Sequence, residues 1–453
     1  MKALLITFIG LLLSVSASAS ASAEWSVGTA KTVITPKKPM WMAGYGGRTA
    51  PADGTETDLF AKALLLDDGS GNSGVVVTLD VVGIDRAFSL DLCERLEKEY
   101  GLAREQIALC TSHTHSGPVV GTNLGPLHFY SVDPTQQKLI EEYAETLKVM
   151  VVGIVGEAIA AKLPARVQAG NGRSTFAVNR RNNKPYEEVP DKRARGLLVG
   201  PVDHDVPVLT ARNADDELVA ILFGYACHAT VLGLNQWNGD YPGYAQAALE
   251  EKYPGATALF WAGCGGDQNP LPRKELPLAK KYGDELAEAV IETIDAPMPE
   301  LEASLAVSFV ELEAPLATIP TKEEILTNTK SPNRFEIARA NYLLREIEQS
   351  GGLEEYYPYP IGVWKLGNKI DFVFLGGEVV VDYALRLKRE NTGPDTWVAG
   401  YSNDVMAYIP SLRVLKEGGY EGGTSNVYYG LPALWDEAIE EAIVGKVGKL
   451  IGE

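Results

Sequence analysis

Histidine and cysteine are scarce in this chain of 453 residues, which has five of the first and four of the second. The cysteines lie inside apolar runs and show no paired spacing; they are Cys93, Cys110, Cys227 and Cys264. This pattern excludes a zinc finger and argues against a disulfide framework. We expect buried thiols, with one disulfide bridge as the alternative.

Positive charge is also in deficit. The chain carries 41 Lys and Arg against 60 Asp and Glu, a formal net charge of −19. Proteins that bind nucleic acids or anionic lipid surfaces usually do so through clustered Lys and Arg, so we expect neither as a partner. A lipid substrate would have to be held by apolar contacts.

Long apolar runs are missing as well, since none approaches the ~18 residues of a membrane-spanning helix. The chain begins with Lys2, an apolar segment at 4–13 and the small residues Ala21-Ser22-Ala23. This order is typical of a signal peptide. We therefore predict that residues 1–23 are removed, that the mature protein begins at Glu24, and that it is exported to the periplasm or the extracellular space.

Short apolar runs, by contrast, recur, and each is followed by a turn carrying Asp, His or Glu. The predicted strands are 75–79, 107–110, 219–226, 258–262 and 372–375. Helical periodicity lies between several of them, at 89–100, 137–162, 244–252 and 278–293. The alternation predicts an α/β fold, a mixed sheet core with flanking helices. The active site is expected at the strand-end loops.

Composition does not change sharply between residues 24 and 453, so we predict one catalytic domain there. The polar helical segment 321–354 follows an edge-like strand near Leu305 and precedes a segment rich in Tyr and Pro. It is interpreted as an insertion or a lid.

Two of the five histidines, His113 and His115, follow a predicted strand. Residues two apart at an extended strand end face the same side, so both imidazoles could address one point. That geometry suits a metal ligand beside a base. The alternative is a pair of surface loop histidines.

Two further side chains from other strand ends could complete a metal site. His228 ends an apolar run, and Glu378 follows Gly376-Gly377, where the backbone can turn tightly. Two imidazoles and a carboxylate form the ligand set of an open catalytic zinc site. Taken singly, His228 could instead be a core histidine, and Glu378 a charge at the start of a helix.

Several ordered sequence blocks resemble the neutral, non-lysosomal ceramidases, from Gly44 to about Gly430. The blocks are 43–48, 111–118, 178–180, 223–230 with 239–245, 265–267, 377–378, and 403–409 with 419–421. The resemblance implies a hydrolase of sphingolipid metabolism that cleaves the N-acyl amide bond of ceramide or a related N-acyl lipid by a zinc-activated water.

The same resemblance implies roles for individual side chains. The implied Zn²⁺ ligands are His113, His228, Glu378 and Tyr408. His115 would lie beside the metal-bound water and act as the base. Arg180 and Tyr420 would contact the scissile amide.

This sequence departs from the family pattern in two places. The family has an active-site Ser in a Gly-Asp-Val-Ser-Pro-Asn block, where this chain has Asn269, whose amide can bind substrate but cannot act as a nucleophile. The C-terminal β-sandwich domain of full-length ceramidases is not expected. The alternatives are therefore a zinc hydrolase of another amide or ester, or a non-catalytic binding protein on the same scaffold.

Overall fold

The computed structural model describes residues 24–452, so the predicted signal peptide at 1–23 lies outside the described residues. The strands are β1 Ser26–Val33, β2 Gly54–Thr55, β3 Phe60–Asp67, β4 Ser73–Leu79, β5 Ile107–Thr111, β6 Leu163–Pro164, β7 Arg166–Arg173, β8 Ala177–Asn179, β9 Asp205–Arg212, β10 Leu218–Tyr225, β11 Gln236–Trp237, β12 Thr257–Ala262, β13 Gln268–Pro270, β14 Leu305–Pro315, β15 Tyr356–Leu366, β16 Ile370–Leu375, β17 Glu378–Val379, β18 Asp395–Ala399 and β19 Tyr408–Ile409. The helices are α1 Arg86–Tyr100, α2 Pro134–Ala160, α3 Val189–Ala194, α4 Asp240–Lys252, α5 Leu276–Asp295, α6 Lys322–Asn328, α7 Arg334–Ser350, α8 Val381–Glu390, α9 Leu412–Glu417, α10 Gly419–Gly422 and α11 Ile439–Gly452.

The predicted strands all form, but they are divided among three sheets. The sheets have the orders β5-β4-β3-β1-β6, β12-β10-β9-β7 and β14-β15-β16-β18. Each contains one parallel pair, respectively β4 with β5, β10 with β12, and β16 with β18. The α/β prediction is confirmed, and the edge-like strand near Leu305 is the edge strand β14.

The carboxyl ends of these parallel strands meet. A bridge between Cys110 and Ser402 joins the end of β5 to the chain after β18, and a bridge between Gly263 and Ala399 joins the end of β12 to β18. Because parallel strands end at the same edge, the polar loops after them are brought to one place.

Helices cover the sheets as the periodicity predicts. Helix α2 packs on β1 and β3, and α4 and α5 pack together against β12 and β9. Local signals set the helix ends: the Asp85 side chain caps α1 by accepting from the Phe88 amide, and Gly101 ends it in a left-handed conformation, φ 70°. None of the helices in residues 24–452 combines the length and apolarity that crossing a bilayer requires.

The four cysteines are free and buried, as expected. The polar segment 321–354 forms the helix pair α6 and α7, and α6 begins with a capping box between Thr321 and Glu324. This pair contacts two loops, since Arg334 donates to the Gly46 carbonyl at 2.7 Å and Arg339 donates to the Leu431 carbonyl at 2.6 Å.

Candidate active site

His113 lies just beyond β5, with its side chain 1 % exposed. The prediction that it extends the strand is wrong, because β5 ends at Thr111 and His113 has a left-handed φ of 57°. This conformation is costly for a non-glycine residue. It nevertheless directs the ring to His115, and the two Nε2 atoms are 3.0 Å apart.

The tautomer of His113 is fixed by the backbone. Its Nδ1 donates to the Val82 carbonyl at 2.6 Å, so Nε2 is the nitrogen directed into the site. His228, beyond β10, repeats the arrangement, with Nδ1 donating to the Gly265 carbonyl at 2.7 Å. Metal-binding imidazoles are held in this way, with the second nitrogen engaged by a carbonyl or carboxylate.

Glu378 places a carboxylate between these two imidazoles. Its Oε2 lies 3.3 Å from Nε2 of His113 and 3.1 Å from Nε2 of His228. This oxygen is buried and has no hydrogen-bond donor in the described residues, while Oε1 accepts from the Tyr429 hydroxyl. Gly377 makes the turn possible, with a φ of 76°.

Burial acts to raise the pKa of Glu378, but positive charge carried by the adjacent imidazoles of His113 and His228, when they are protonated, holds it well below its usual range. The carboxylate is therefore ionised. Two imidazole nitrogens and a carboxylate oxygen meet at one buried point, and a metal cation bound there could replace the proton that otherwise stabilises the carboxylate.

Tyr408 reaches the same point from β19, which pairs with β17 so that Tyr408 lies directly opposite Glu378. Its hydroxyl oxygen is 3.1 Å from Nε2 of His228 and accepts from Arg180 at 3.1 Å. No spacing in the sequence indicates this contact, because a two-residue parallel ladder sets it.

His115 differs from the other two imidazoles in the cluster. The ring nitrogens of His113, His115 and His228 lie within 4.8 Å of one another, so a three-histidine ligand set is also conceivable on distance alone. However, Nδ1 of His115 is buried without a hydrogen-bond partner in residues 24–452, and its Nε2 faces Nε2 of His113 instead of a backbone carbonyl. Burial and the neighbouring imidazoles hold its pKa well below the usual range, which keeps it a free base.

The ring of His115 rests on a glycine. A Cβ on Gly44 would lie 2.4 Å from Cγ of His115, and Gly44 has a φ of 91°. The Gly44 amide donates to Nε2 of His128 at 2.9 Å, and burial lowers the pKa of His128 to about 3, so it stays neutral. The sequence pattern does not indicate that His128 and Gly44 belong to the site. The scarcity of histidine is a weak signal for His128, and Gly44 has none of this kind.

Arg180 connects the remaining predicted residues. It donates to Glu421 at 2.7 Å and to the amide oxygen of Asn269 at 3.2 Å, as well as to Tyr408. Pairing of β8 with β13 places Asn269 beside this arginine. Tyr420, 43 % exposed, has its ring 5.3 Å from that of Tyr408. Every predicted site residue thus belongs to one cluster.

Residues 25–265 match the family model for the N-terminal part of neutral/alkaline non-lysosomal ceramidases. The chain belongs to this family. It is 25% identical over 283 residues to a neutral ceramidase of Drosophila pseudoobscura pseudoobscura, covering 58% of this chain and 39% of that protein. It is 24% identical over 265 residues to a neutral ceramidase of Drosophila melanogaster, covering 55% and 36%. The match thus spans less than half the length of these curated relatives.

Solved structures share the fold of this ceramidase-family chain. The neutral ceramidase from Pseudomonas aeruginosa superposes with a TM-score of 0.72 at 20% identity, over 94% of this chain and 73% of that chain. A ceramidase complexed with C2 gives a TM-score of 0.71 at 20% identity, over 94% and 74%. Similarity at this level establishes the fold.

The cluster of this ceramidase-family chain opens into a cavity of about 500 Å³. His115, Arg180 and Tyr420 line it, while His113 and Glu378 lie behind its wall. Asn269 faces the same space. Most of the lining is polar, which is unusual for a site expected to hold a lipid by apolar contacts.

Proposed function

We propose that this protein is an exported, zinc-dependent amidohydrolase that cleaves the N-acyl amide bond of ceramide or a related N-acyl lipid. One observation carries the proposal: His113 and His228 direct two oriented imidazole nitrogens to one point, where Glu378 places a buried carboxylate oxygen without a hydrogen-bond donor in the described residues, beside the imidazole of His115. Family membership supports the reaction class.

The residues present fit a zinc ion. His113, His228, Glu378 and Tyr408 would hold it, since nitrogen and oxygen donors in this number suit zinc and leave room for substrate. When bound, zinc supplies a Lewis acid that polarises a carbonyl oxygen and acidifies water. A structural role for the ion is disfavoured, because structural sites prefer cysteine ligands and all four cysteines are buried elsewhere as free thiols.

His115 is assigned the proton transfers. Its ring lines the cavity and is unprotonated, because burial and the neighbouring imidazoles lower its pKa, so it can accept a proton from the attacking water and pass it to the leaving amine nitrogen.

Tyr420 and Arg180 are assigned to the acyl group. The Tyr420 hydroxyl can donate to the carbonyl oxygen as negative charge develops on it. Arg180 contacts Tyr408 and Asn269 and lines the cavity, so it holds the polar wall against which the carbonyl is oriented. With an amide at position 269, water attacks directly and no acyl-enzyme forms at that residue.

The test combines metal analysis with a substrate panel. Protein purified from the exported fraction would be assayed for bound metal and for amine release from N-acyl sphingoid bases, unrelated acyl amides and esters. We expect about one zinc per chain, amine release from N-acyl sphingoid bases, loss of turnover on chelation, and an N-terminus at Glu24. Stoichiometric zinc with no turnover of any acyl substrate would instead indicate a binding protein, and turnover restricted to esters would refute amide specificity.

A further inference from the structure

The active-site cavity carries an excess of positive charge in a protein whose net charge is −19. Its charged lining consists of Arg180, Arg181, Lys184 and Arg273 against Glu417 and Glu421. Both carboxylates are already engaged. Arg180 and Arg181 donate to Glu421 at 2.7 and 2.6 Å, and Arg181 also donates to Glu417 at 3.0 Å.

Two cations are left over. Within residues 24–452, neither Lys184 nor Arg273 has a carboxylate within ion-pairing distance. Arg273 is half-buried, and its guanidinium reaches only the Thr230 carbonyl, at 3.4 Å. A guanidinium has five N–H donors, so most of the donors of Arg273 stay available to a ligand.

Arg273 also occupies a boundary. A second, open cavity of about 670 Å³ shares Tyr45 and Arg273 with the first and adds Arg48 and Lys274. Among the described residues that line this second cavity there is no Asp or Glu. Arg48 is committed to the loop, since it donates to the carbonyls of His115 and Leu234 at 2.8 and 3.1 Å. Arg273 and Lys274 are thus the free cations along this side of the catalytic cavity.

A cleft with a net positive charge within a negatively charged protein concentrates anionic ligands. The planar fork of a guanidinium matches carboxylate and phosphate oxygens in a bidentate manner. Apart from the buried Asp240, whose charge acts on Arg273 from beyond ion-pairing distance, a neutral amide with hydroxyl groups would offer this arginine no charged partner.

We infer that the preferred substrate is an N-acyl amide bearing an anionic group, a carboxylate or a phosphate, that binds Arg273. This inference rests on the proposed amidohydrolase function and narrows its substrate class. Lys184 and Lys274 extend the positive field on either side and raise the encounter rate without fixing geometry.

The experiment compares matched substrates. An N-acyl amino acid is paired with the N-acyl alkylamine that lacks its carboxylate, and a phosphorylated ceramide is paired with ceramide. For each pair, the ratio of kcat/KM for the anionic member to that of the neutral member is measured in the wild type, in Arg273→Gln and in Arg273→Lys. The control is Arg195→Gln, whose arginine is exposed, pairs with Asp191 and lies outside both cavities.

We expect the wild type to prefer one of the anionic members at least tenfold. This ratio should fall at least tenfold in Arg273→Gln, chiefly through KM, be partly restored in Arg273→Lys, and be unchanged in Arg195→Gln. The substrate pair whose ratio changes in Arg273→Gln shows whether Arg273 binds a carboxylate or a phosphate. A wild-type preference for the neutral members, or an equal ratio in Arg273→Gln, overturns the inference.

Failure of the proposed function is distinguished by equilibrium binding. If no amide is cleaved, the proposed function is wrong. The calorimetric affinity of the zinc-loaded protein for the same anionic amides then decides the inference. Binding at least tenfold weaker in Arg273→Gln supports it, and equal binding in both proteins refutes it.

Discussion

At the residue scale, the hydrogen bonds of the imidazole Nδ1 atoms separate two roles that distance alone leaves mixed. The Val82 and Gly265 carbonyls accept from the Nδ1 atoms of His113 and His228, whereas Nδ1 of His115 has no hydrogen-bond partner in residues 24–452. A carbonyl on Nδ1 orients a metal-binding imidazole and directs its Nε2 to the metal, and His115 lacks this support. The proposed division of labour follows from this difference.

We predict different losses for the two neighbouring histidines. His115→Ala should keep stoichiometric zinc and lose turnover by roughly a hundred- to ten-thousand-fold, the usual range for positioned acid-base help. His113→Ala should lose the metal. Both predictions are checked by measuring zinc content, by inductively coupled plasma mass spectrometry, and kcat on the same preparations. His204→Gln is the control. Full zinc occupancy in His113→Ala would contradict the ligand assignment.

Gly44 offers a second test of how His115 is positioned. In Gly44→Ala, the left-handed backbone and the close approach of Cβ to the His115 ring should displace that ring. We expect kcat to fall about tenfold or more, since small misplacements are costly in catalysis, while zinc content stays unchanged. The matched control is Gly47→Ala, where an added Cβ meets nothing within 4 Å. Equal activity of the two variants would refute the positioning role.

At the element scale, the helix pair α6 and α7 supports the site from behind. Arg339 on α7 donates to the carbonyls of Leu431 and Pro432. The loop that contains Leu431 and Pro432 also contains Tyr429, whose hydroxyl donates to Glu378. The helix pair thus supports the Glu378 carboxylate through the loop at 428–432. The role of segment 321–354 as a lid stays a prediction.

Loss of this support should weaken metal binding. Arg339→Ala leaves two carbonyls short of a donor, which should lower the free energy of unfolding by about 1–3 kcal/mol. It should also weaken zinc affinity by up to ~10-fold, the lower end for groups behind a ligand. Competition with a chromogenic chelator measures the affinity. Glu348→Ala, at an exposed position of the same helix, is the control, and an unchanged affinity in Arg339→Ala would argue against the support.

The five strands that precede the site loops, the edge strand near Leu305 and the helices with clear three- and four-residue spacings could be predicted, because apolar runs and such spacings are local signals. The left-handed turn at His113, the pairing of Glu378 with Tyr408 and the contact of Gly44 with His115 could not. Each depends on a partner distant in sequence or on a backbone angle that residue type does not specify. The division of the strands into three sheets is hidden for the same reason.

At the scale of the whole molecule, buried acids should make stability fall with rising pH. Burial raises the pKa of Asp404 from 3.8 to about 8, and those of Asp240 and Asp267 to about 6. Between pH 4 and these values the native state keeps protons that the unfolded chain has released. Each such group therefore lowers the free energy of unfolding by at most about 1.4 kcal/mol for each unit of rising pH.

Asp404 should contribute to the upper part of this decline, between pH 6 and 8, since its pKa is raised to about 8. We expect Asp404→Asn to show a smaller loss of unfolding free energy over this range than the wild type, measured by urea unfolding at constant zinc. Its partner, the Tyr357 hydroxyl at 2.6 Å, can still donate to the amide oxygen. Asp215→Asn, in an exposed turn, is the control. Parallel pH profiles for wild type and Asp404→Asn would refute the assignment.

The buried thiols also give a prediction for the whole chain. A thiol reagent should modify none of the four cysteines in the native protein and all four after denaturation, and reductant should leave the thermal midpoint unchanged. A midpoint lowered by reductant would reveal a disulfide.

The joining of three sheets at the site has a kinetic consequence. His113, His228 and Glu378 each follow a strand of a different sheet and lie far apart along the chain. Their meeting requires closure of long loops, so it comes late in folding, when most of each sheet has formed. Interactions absent from the transition state change the unfolding rate and leave the refolding rate nearly constant. A bound ion should therefore prolong the lifetime of the native protein by slowing unfolding.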